Sequence, residues 1–451
     1  MLSAFSNSLK IPELRQRIFF SLAMIFVCRL VAAIPTPGVD AVALKEAIDA
    51  LSQTAGGGFL GLFNLFSGGA LERCAVGALG IMPYISASII LQLMTAVVPT
   101  LERLAREGDT GREKITQYTR YLTVFLCIVQ GYAMALTLEN AETVLGLTQQ
   151  IVQNPGFGFR FLTIITMTTA TMLLMWLGEQ ITDRGIGNGI SLIITVGIIS
   201  SMPGAVQAAV RMFRPAVEGG VAQFTVFHLV GLLIMFFLVV AATIAVTQAQ
   251  RKIPVQYAKR VVGRKVYGGQ STYMPLRVNY SGVMPIIFAQ AIMMFPPKLF
   301  GMLPFEAAKR FGAAIDVGTT WYMVLYGVLI FFFSYFWVAT QFNPIQIADD
   351  LKKYGGYLPG IRPGRPTAEY LDRTMTRITF SGALFLTFIA VIPMMMYQQF
   401  SIPFIVAQFF GGTSLLIIVG VVLDTMRQVE SHLLMRNYDG FLKKGKLRSR
   451  R

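Results

Sequence analysis

Charge is what this sequence has least of. Only 14% of its 451 residues are Asp, Glu, Lys or Arg, and acids are the scarcer sign, 23 against 39 Lys and Arg. A soluble domain carries about 25% charged residues, so a water-facing surface is excluded for most of this chain. Histidine is almost absent. His228 and His432 lie far apart without ligand-spaced neighbours, which offers neither a zinc centre nor a histidine-activated nucleophile. Cys28, Cys74 and Cys127 are too few and too scattered for a disulfide framework or a metal site, and read as buried apolar thiols. No phosphate-binding glycine loop with its Lys-Ser/Thr is present, so any ATP energy has to come from a partner. The expectation is a protein that is no enzyme and holds no metal and no cofactor.

What is abundant is apolar sequence, 54% of residues in repeated runs of membrane-spanning length. Ten candidate spans centre near residues 26, 86, 129, 171, 195, 238, 292, 332, 386 and 420. The opening run Ile18–Ile34 superficially resembles a secretory signal, but its length, the internal Arg29 and the following Pro35 favour a retained first span. With a cytoplasmic N-terminus, 30 Lys and Arg fall on the cytoplasmic side and 8 on the other, with Arg29 left inside a span. Both termini are therefore expected in the cytoplasm.

The chain repeats itself. Gly80–Ile90 lies over Gly282–Ile292 with Gly, Met, Pro, Ile, Ala and Ile matched, and Gly189–Ile199 lies over Gly412–Val422 with Gly, Ser, Leu, Ile, Val and Gly matched. The offsets, 202 and 223 residues, pair span 2 with span 7 and span 5 with span 10. Five spans per half invert the second half relative to the first. The expected halves are 1–224 and 225–451, the latter with large cytoplasmic loops at about 249–279 and 343–376 and a basic tail.

Depth singles out a set of isoleucines. Ile194, Ile287 and Ile417 each lie ten residues from a cytoplasmic-side arginine, namely Arg184, Arg277 and Arg427. That is roughly 15 Å of helix, half of a hydrocarbon core of about 30 Å. The repeat makes Ile287 the counterpart of Ile85 and Ile417 that of Ile194, with Ile81 and Ile190 a turn away. Isoleucine in a span ordinarily faces lipid or core; membership of a symmetry-related set distinguishes these.

Polar residues inside spans need partners other than lipid. Ile81, Ile85, Ser88 and Gln92 share one face of span 2, and Ser88 and Gln290 occupy equivalent repeat positions. Between spans 1 and 2, Phe59, Leu62, Phe63 and Phe66 share a face of a short run bounded by glycines. This is either a surface-lying amphipathic helix or a hinged, movable obstruction on the non-cytoplasmic side. In the first large loop, Ile253, Val255 and Tyr257 alternate like a strand before a Gly268-Gly269 turn signal, and Arg251–Arg277 holds seven basic residues. The second loop is turn-rich around Arg362.

These stretches carry a resemblance. "GALGIMPYISASIILQLM", "WLGEQITDRGIGNGIS", "YAKRVVGRKVYGGQSTYMPLRVN", "YGGYLPGIRPGRPTAEYLDR" and "GGTSLLIIV" resemble the SecY family, main subunit of the bacterial protein-conducting channel, over essentially the whole chain. The resemblance implies an all-α polytopic membrane protein of ten transmembrane helices, two inverted five-helix halves around an hourglass pore, in the plasma membrane. It implies a pore ring of Ile81, Ile85, Ile190, Ile194, Ile287 and Ile417. It also implies a plug helix at about 57–71 that includes Phe59, Leu62, Phe63, Asn64 and Phe66. A lateral gate of spans 2 and 7 would involve Ser86, Ser88, Gln92, Gln290 and Phe295, and admit signal peptides and nascent transmembrane segments to the lipid bilayer. The implied partners are the small subunits SecE and SecG, the SecA motor ATPase, and the ribosome with its RNA phosphates; Lys259, Arg260, Arg264, Lys265 and Arg362 are the candidate docking residues. The competing reading is an inverted-repeat secondary transporter, which would place ionisable groups at the midplane, where this sequence places isoleucine.

Overall fold

The computed structural model describes residues 11–40, 43–44, 64, 67–140, 151–213, 226–257, 260–262, 265–267, 271–293, 296–297, 300, 305–400 and 402–444. Its first helices are α1 (Pro12–Val31), α2 (Met82–Val97), α3 (Pro99–Arg106), α4 (Asp109–Glu139), α5 (Phe157–Arg184) and α6 (Gly189–Met212). After α7 (Val226–Gln248) come four strands, β1 (Gln250–Tyr257), β2 (Arg260–Val262), β3 (Lys265–Tyr267) and β4 (Ser271–Arg277). The chain continues through α8 (Met284–Met293), α9 (Glu306–Ala314), α10 (Thr320–Gln341), α11 (Pro344–Lys353), β5 (Gly356–Tyr357), α12 (Arg365–Phe400), α13 (Phe404–Gly411) and α14 (Thr413–Lys444).

A helix lies over each of the ten positions at which the sequence predicts a span: α1, α2, α4, α5, α6, α7, α8, α10, α12 and α14. Among the described residues, seven helices are long and apolar enough to cross a membrane, or eight if α2 and the following Pro99–Ala105 form one bent span. The two left over have physical reasons. Helix α1 carries Glu13, Arg15, Arg17 and Arg29, and α8 is ten residues long as described. The 104° bend after α2 falls at Val98-Pro99, where the proline ring forces Val98 into extended backbone (φ −94°, ψ 113°).

The chain forms two compact units. The first comprises Met1–Gln223, Pro403–Val406 and Ile417–Arg451; the second comprises Phe224–Ile402 and Ala407–Leu416. In the first, α2 packs on α4, α4 on α5, and α5 on both α6 and α1. In the second, α8 packs on α10 and α10 on α12. The neighbour order of spans 2, 3 and 4 thus recurs in spans 7, 8 and 9, as the internal repeat requires.

The motif "GEQITDRGIGNGIS" makes a polar corner of the first unit in which five backbone donors find partners. Gly185 N donates to Ile181 O (2.8 Å) and Ile186 N to Ser21 Oγ of α1 (3.1 Å). Gly187 N donates to Gln428 Oε1 of α14 (2.8 Å) and Gly189 N to Thr182 Oγ1 (2.9 Å). Asn188 caps α6 by accepting from Ser191 N (3.1 Å). Beneath this corner, Leu14, Ile186 and Val429 are buried together, so α1, the turn and α14 share one apolar contact.

In the second unit the sheet runs in the order β4-β1-β5, antiparallel throughout. The alternation expected at Ile253, Val255 and Tyr257 is present, with Ile253 and Val255 buried and their neighbours exposed. Ile253, Leu276 and Leu358 pack with Phe342, Leu371 and Met375 at the ends of α10 and α12. Pairing of Gln256 with Tyr357 and of Tyr257 with Gly356 joins the two large loops into one body. The Gly268-Gly269 turn signal lies outside the described residues.

Candidate functional site

Four helix starts position the isoleucines. Gly80 and Gly282 hold left-handed backbone, φ 57° and 63°, which costs glycine nothing and other residues strain. Each precedes a helix opening on Met-Pro, whose proline at the first turn lacks the N–H that would go unpaired there. Gly189 and Gly412 serve differently, by close approach. A Cβ on Gly189 would collide with the Gly178 carbonyl of α5, and one on Gly412 would collide with Pro393 of α12 and lie 3.0 Å from Gln408 O. Ile85, Ile194, Ile287 and Ile417 each lie five residues beyond one of these glycines, and Ile81 and Ile190 one residue beyond. In the first unit Ile81, Ile85, Ile194 and Ile417 are buried and Ile190 is half-buried. Ile287 is buried in the second. Two local devices, a left-handed turn and a close approach, thus set an isoleucine at the same sequence distance past the glycine in each of four helices.

Arg29, the one basic residue predicted inside a span, reaches out of α1 to the turn that precedes α2. Its Nη2 donates to Gly68 O (2.8 Å) and to Ser200 Oγ of α6 (2.6 Å), while Ser200 Oγ donates to Gly68 O at 3.5 Å. Gly68 and Gly69 are both left-handed, φ 67° and 82°. Asn64 braces the turn: its carbonyl accepts from Gly69 N (3.0 Å) and Ser67 Oγ (3.1 Å), and its side chain bonds both the backbone N–H and the carboxylate of Glu72. Beyond the turn, Leu71 and Cys74 are buried with Ala135, Leu138 and Met167 of α4 and α5. Of the expected plug residues, Asn64 is buried here; Phe59, Leu62, Phe63 and Phe66 lie outside the described residues.

The polar residues of α2 and α8 sit in apolar surroundings. Ser86, Ser88 and Gln92 are half-buried on α2, and Gln92 Nε2 donates to Ser88 Oγ at 3.5 Å, one turn back on the same helix. Ser86 Oγ, Gln92 Oε1 and, in the second unit, Gln290 Oε1 are buried without a hydrogen-bond partner among the described residues. Phe295 lies outside them.

Arg362 is exposed on a stiff loop between β5 and α12. Leu358 anchors one end of that loop in the apolar cluster, Ile361 N donates to Leu358 O (3.1 Å), and Thr367 Oγ1 donates to Arg362 O (2.9 Å). Gly360 and Gly364 supply left-handed turns on either side, φ 80° and 99°. Arg251, Lys252 and Arg277 are exposed on the sheet that the loop joins. Arg260 and Lys265 lie in the β2-β3 hairpin, where Arg260 pairs with Tyr267 and Lys265 with Val262. Lys259 and Arg264 lie outside the described residues. Sequence reasoning missed Ser200 and the strand pairing of the two loops. Residues separated by 171 positions leave no periodic signal, and a strand of two residues leaves no alternation.

The family model for SecY matches residues 75–426. The chain belongs to the SecY family. The protein translocase subunit SecY of Streptomyces coelicolor is 47% identical over 98% of this chain and 100% of that protein. That of Escherichia coli K12 is 45% identical over 97% and 95%. The chain is also similar in fold to a solved SecY described as showing that its plug domain stabilises the closed state of the translocation channel and maintains a membrane seal. That likeness has a TM-score of 0.61 at 19% identity, over 92% of this chain and 91% of that one. A SecY fold places the helix starts described above in a multi-pass membrane protein.

Proposed function

We propose that this SecY-family chain is the channel-forming subunit through which unfolded secretory polypeptides cross a bacterial plasma membrane and from which transmembrane segments pass sideways into lipid. Its termini are cytoplasmic and its halves are residues 1–224 and 225–451. The observation that carries this reading is the recurrence of an isoleucine five residues after each of Gly80, Gly189, Gly282 and Gly412. With Ile81 and Ile190 these form an apolar ring. A chain in transit presents every side-chain type, so fixed charges at the constriction would bind some segments and repel others. Isoleucine does neither, and a narrow apolar constriction dewets at rest, which holds back water and ions.

The remaining assignments follow the same reading. The segment 57–71 is the plug. Ser86, Ser88, Gln92, Gln290 and Phe295 belong to the lateral exit for signal peptides. The basic loops carrying Arg260 and the exposed Arg362 dock the SecA motor or the ribosome, whose RNA phosphates attract Arg and Lys; SecE and SecG are the small membrane partners. The protein acts as a passive conduit rather than an enzyme. The test is reconstitution into vesicles with the motor ATPase. ATP-dependent uptake of a secretory precursor, without gradient-driven accumulation of small solutes, is expected; solute accumulation without precursor uptake would favour the transporter.

A further inference from the structure

We infer that Arg29 is a latch: its guanidinium holds the Gly68-Gly69 turn against α6, and its release is a step in opening. The inference rests on the reading of 57–71 as the plug. It deepens that reading by naming the residue that holds the Gly68-Gly69 turn of that segment.

Three observations point the same way. Arg29 is half-buried, and among the described residues no carboxylate forms an ion pair with it. Its charge is met instead by a backbone carbonyl and a hydroxyl, Gly68 O and Ser200 Oγ. Second, the turn is seated backbone to backbone. A Cβ on Gly68 would stand 2.8 Å from Gly197 Cα of α6 and would collide with Arg29 Nη1. Third, the latch shares a cleft with the ring. Cys28, Arg29, Ser67, Gly80, Ile81 and Gly197 line one small cleft, so displacement of the turn unpacks a wall that Ile81 helps to form.

The chemistry of the partners explains why this is a latch and not a rivet. A buried carboxylate facing Arg29 would leave a stranded charge each time the turn lifted. A carbonyl gives a charge-assisted hydrogen bond and leaves a neutral group behind when it departs. Ser200, exposed on α6, holds the guanidinium in place by accepting from the nitrogen that bonds Gly68. Gly69 has open space where a side chain would be, and Leu71 and Cys74 just beyond it are buried, so Gly69 is suited to act as the hinge.

The native thiols provide a readout that needs no translocated protein. Cys28, Cys74 and Cys127 are all buried. With Cys74 and Cys127 replaced by Ala, labelling of Cys28 by a small membrane-permeant maleimide reports opening of the cleft. Loss of the charge-assisted bond in Arg29→Met is expected to raise the labelling rate by about tenfold, with Arg29→Lys intermediate. Removing a neighbouring cation by itself slows thiolate chemistry, so faster labelling isolates the opening. Ser200→Ala, which leaves Arg29 in place, should raise the rate less but measurably, and both variants should raise resting ion conductance. Unchanged labelling and conductance in Ser200→Ala, and in Arg29→Met where it elutes as folded protein, overturns the latch. Faster labelling in a protein that passes no secretory precursor upholds the latch and refutes the channel reading instead.

Discussion

Gly80 and Gly282 stand 202 residues apart and adopt the same left-handed backbone, φ 57° and 63°, each one residue short of a helix that opens on Met-Pro. Two stretches of one chain thus solve one problem identically: stopping a turn, starting a helix in an apolar medium, and setting an isoleucine on its second turn.

Gly282→Ala isolates the backbone part of that solution, because a Cβ there meets nothing within 4 Å. The cost is strain alone, about 1–2 kcal/mol, read as a lowered thermal midpoint in detergent. Gly282→Asn should lose less, since Asn tolerates the left-handed region. Equal loss in both variants would show that the glycine serves something other than its φ.

Gly189→Ala tests the other device. A Cβ there clashes with the Gly178 carbonyl and lies 2.8 Å from Ile181 Cβ, so α6 has to move off α5. The expected cost is about 3 kcal/mol, the upper end for overpacking, and the variant should melt well below Gly282→Ala. Matching midpoints for the two would contradict the close packing of this helix start.

These starts also show what the sequence makes legible. Helices at the ten predicted positions, seven or eight of them long and apolar enough among the described residues to cross a membrane, were readable because lipid demands long apolar runs, and the repeat because Gly-x-Met-Pro and Gly-x-Ser-Leu each recur. Strand β1 was readable from the alternation of Ile253 and Val255 with polar neighbours. Arg29 was visible as an anomaly, but its acceptors were not. Gly68 O is a backbone atom that no side-chain pattern marks, and Ser200 is one serine among several in its helix. The pairing of Tyr257 with Gly356 was hidden for the same reason, since it depends on where two loops fold and not on what either contains.

Ile85 and Ile417 together replaced by Asn should wet the ring and raise resting ion conductance in planar bilayers, because an amide holds water where an isoleucine sheds it. Protein that elutes as folded and leaks no more than the parent would remove the ring's proposed role in holding back ions.

Arg362→Glu inverts a charge on a loop pinned by Leu358 and Thr367. Affinity for the motor or ribosome should fall by about tenfold or more, most clearly at low salt, while resting conductance stays unchanged. Unaltered affinity and ATP-driven translocation would leave Arg362 a topological charge only.

The central claim is that an unfolded polypeptide passes the six isoleucines, and site-specific photocrosslinking to a stalled secretory chain tests it most directly. Probes at Ile85, Ile194, Ile287 and Ile417 should all capture the chain. Probes at Phe26 and Phe388, 64% and 65% exposed on α1 and α12 and outside the proposed ring, should capture lipid and no chain. Capture at the two phenylalanines equal to that at the isoleucines, or none at the isoleucines, would contradict the account.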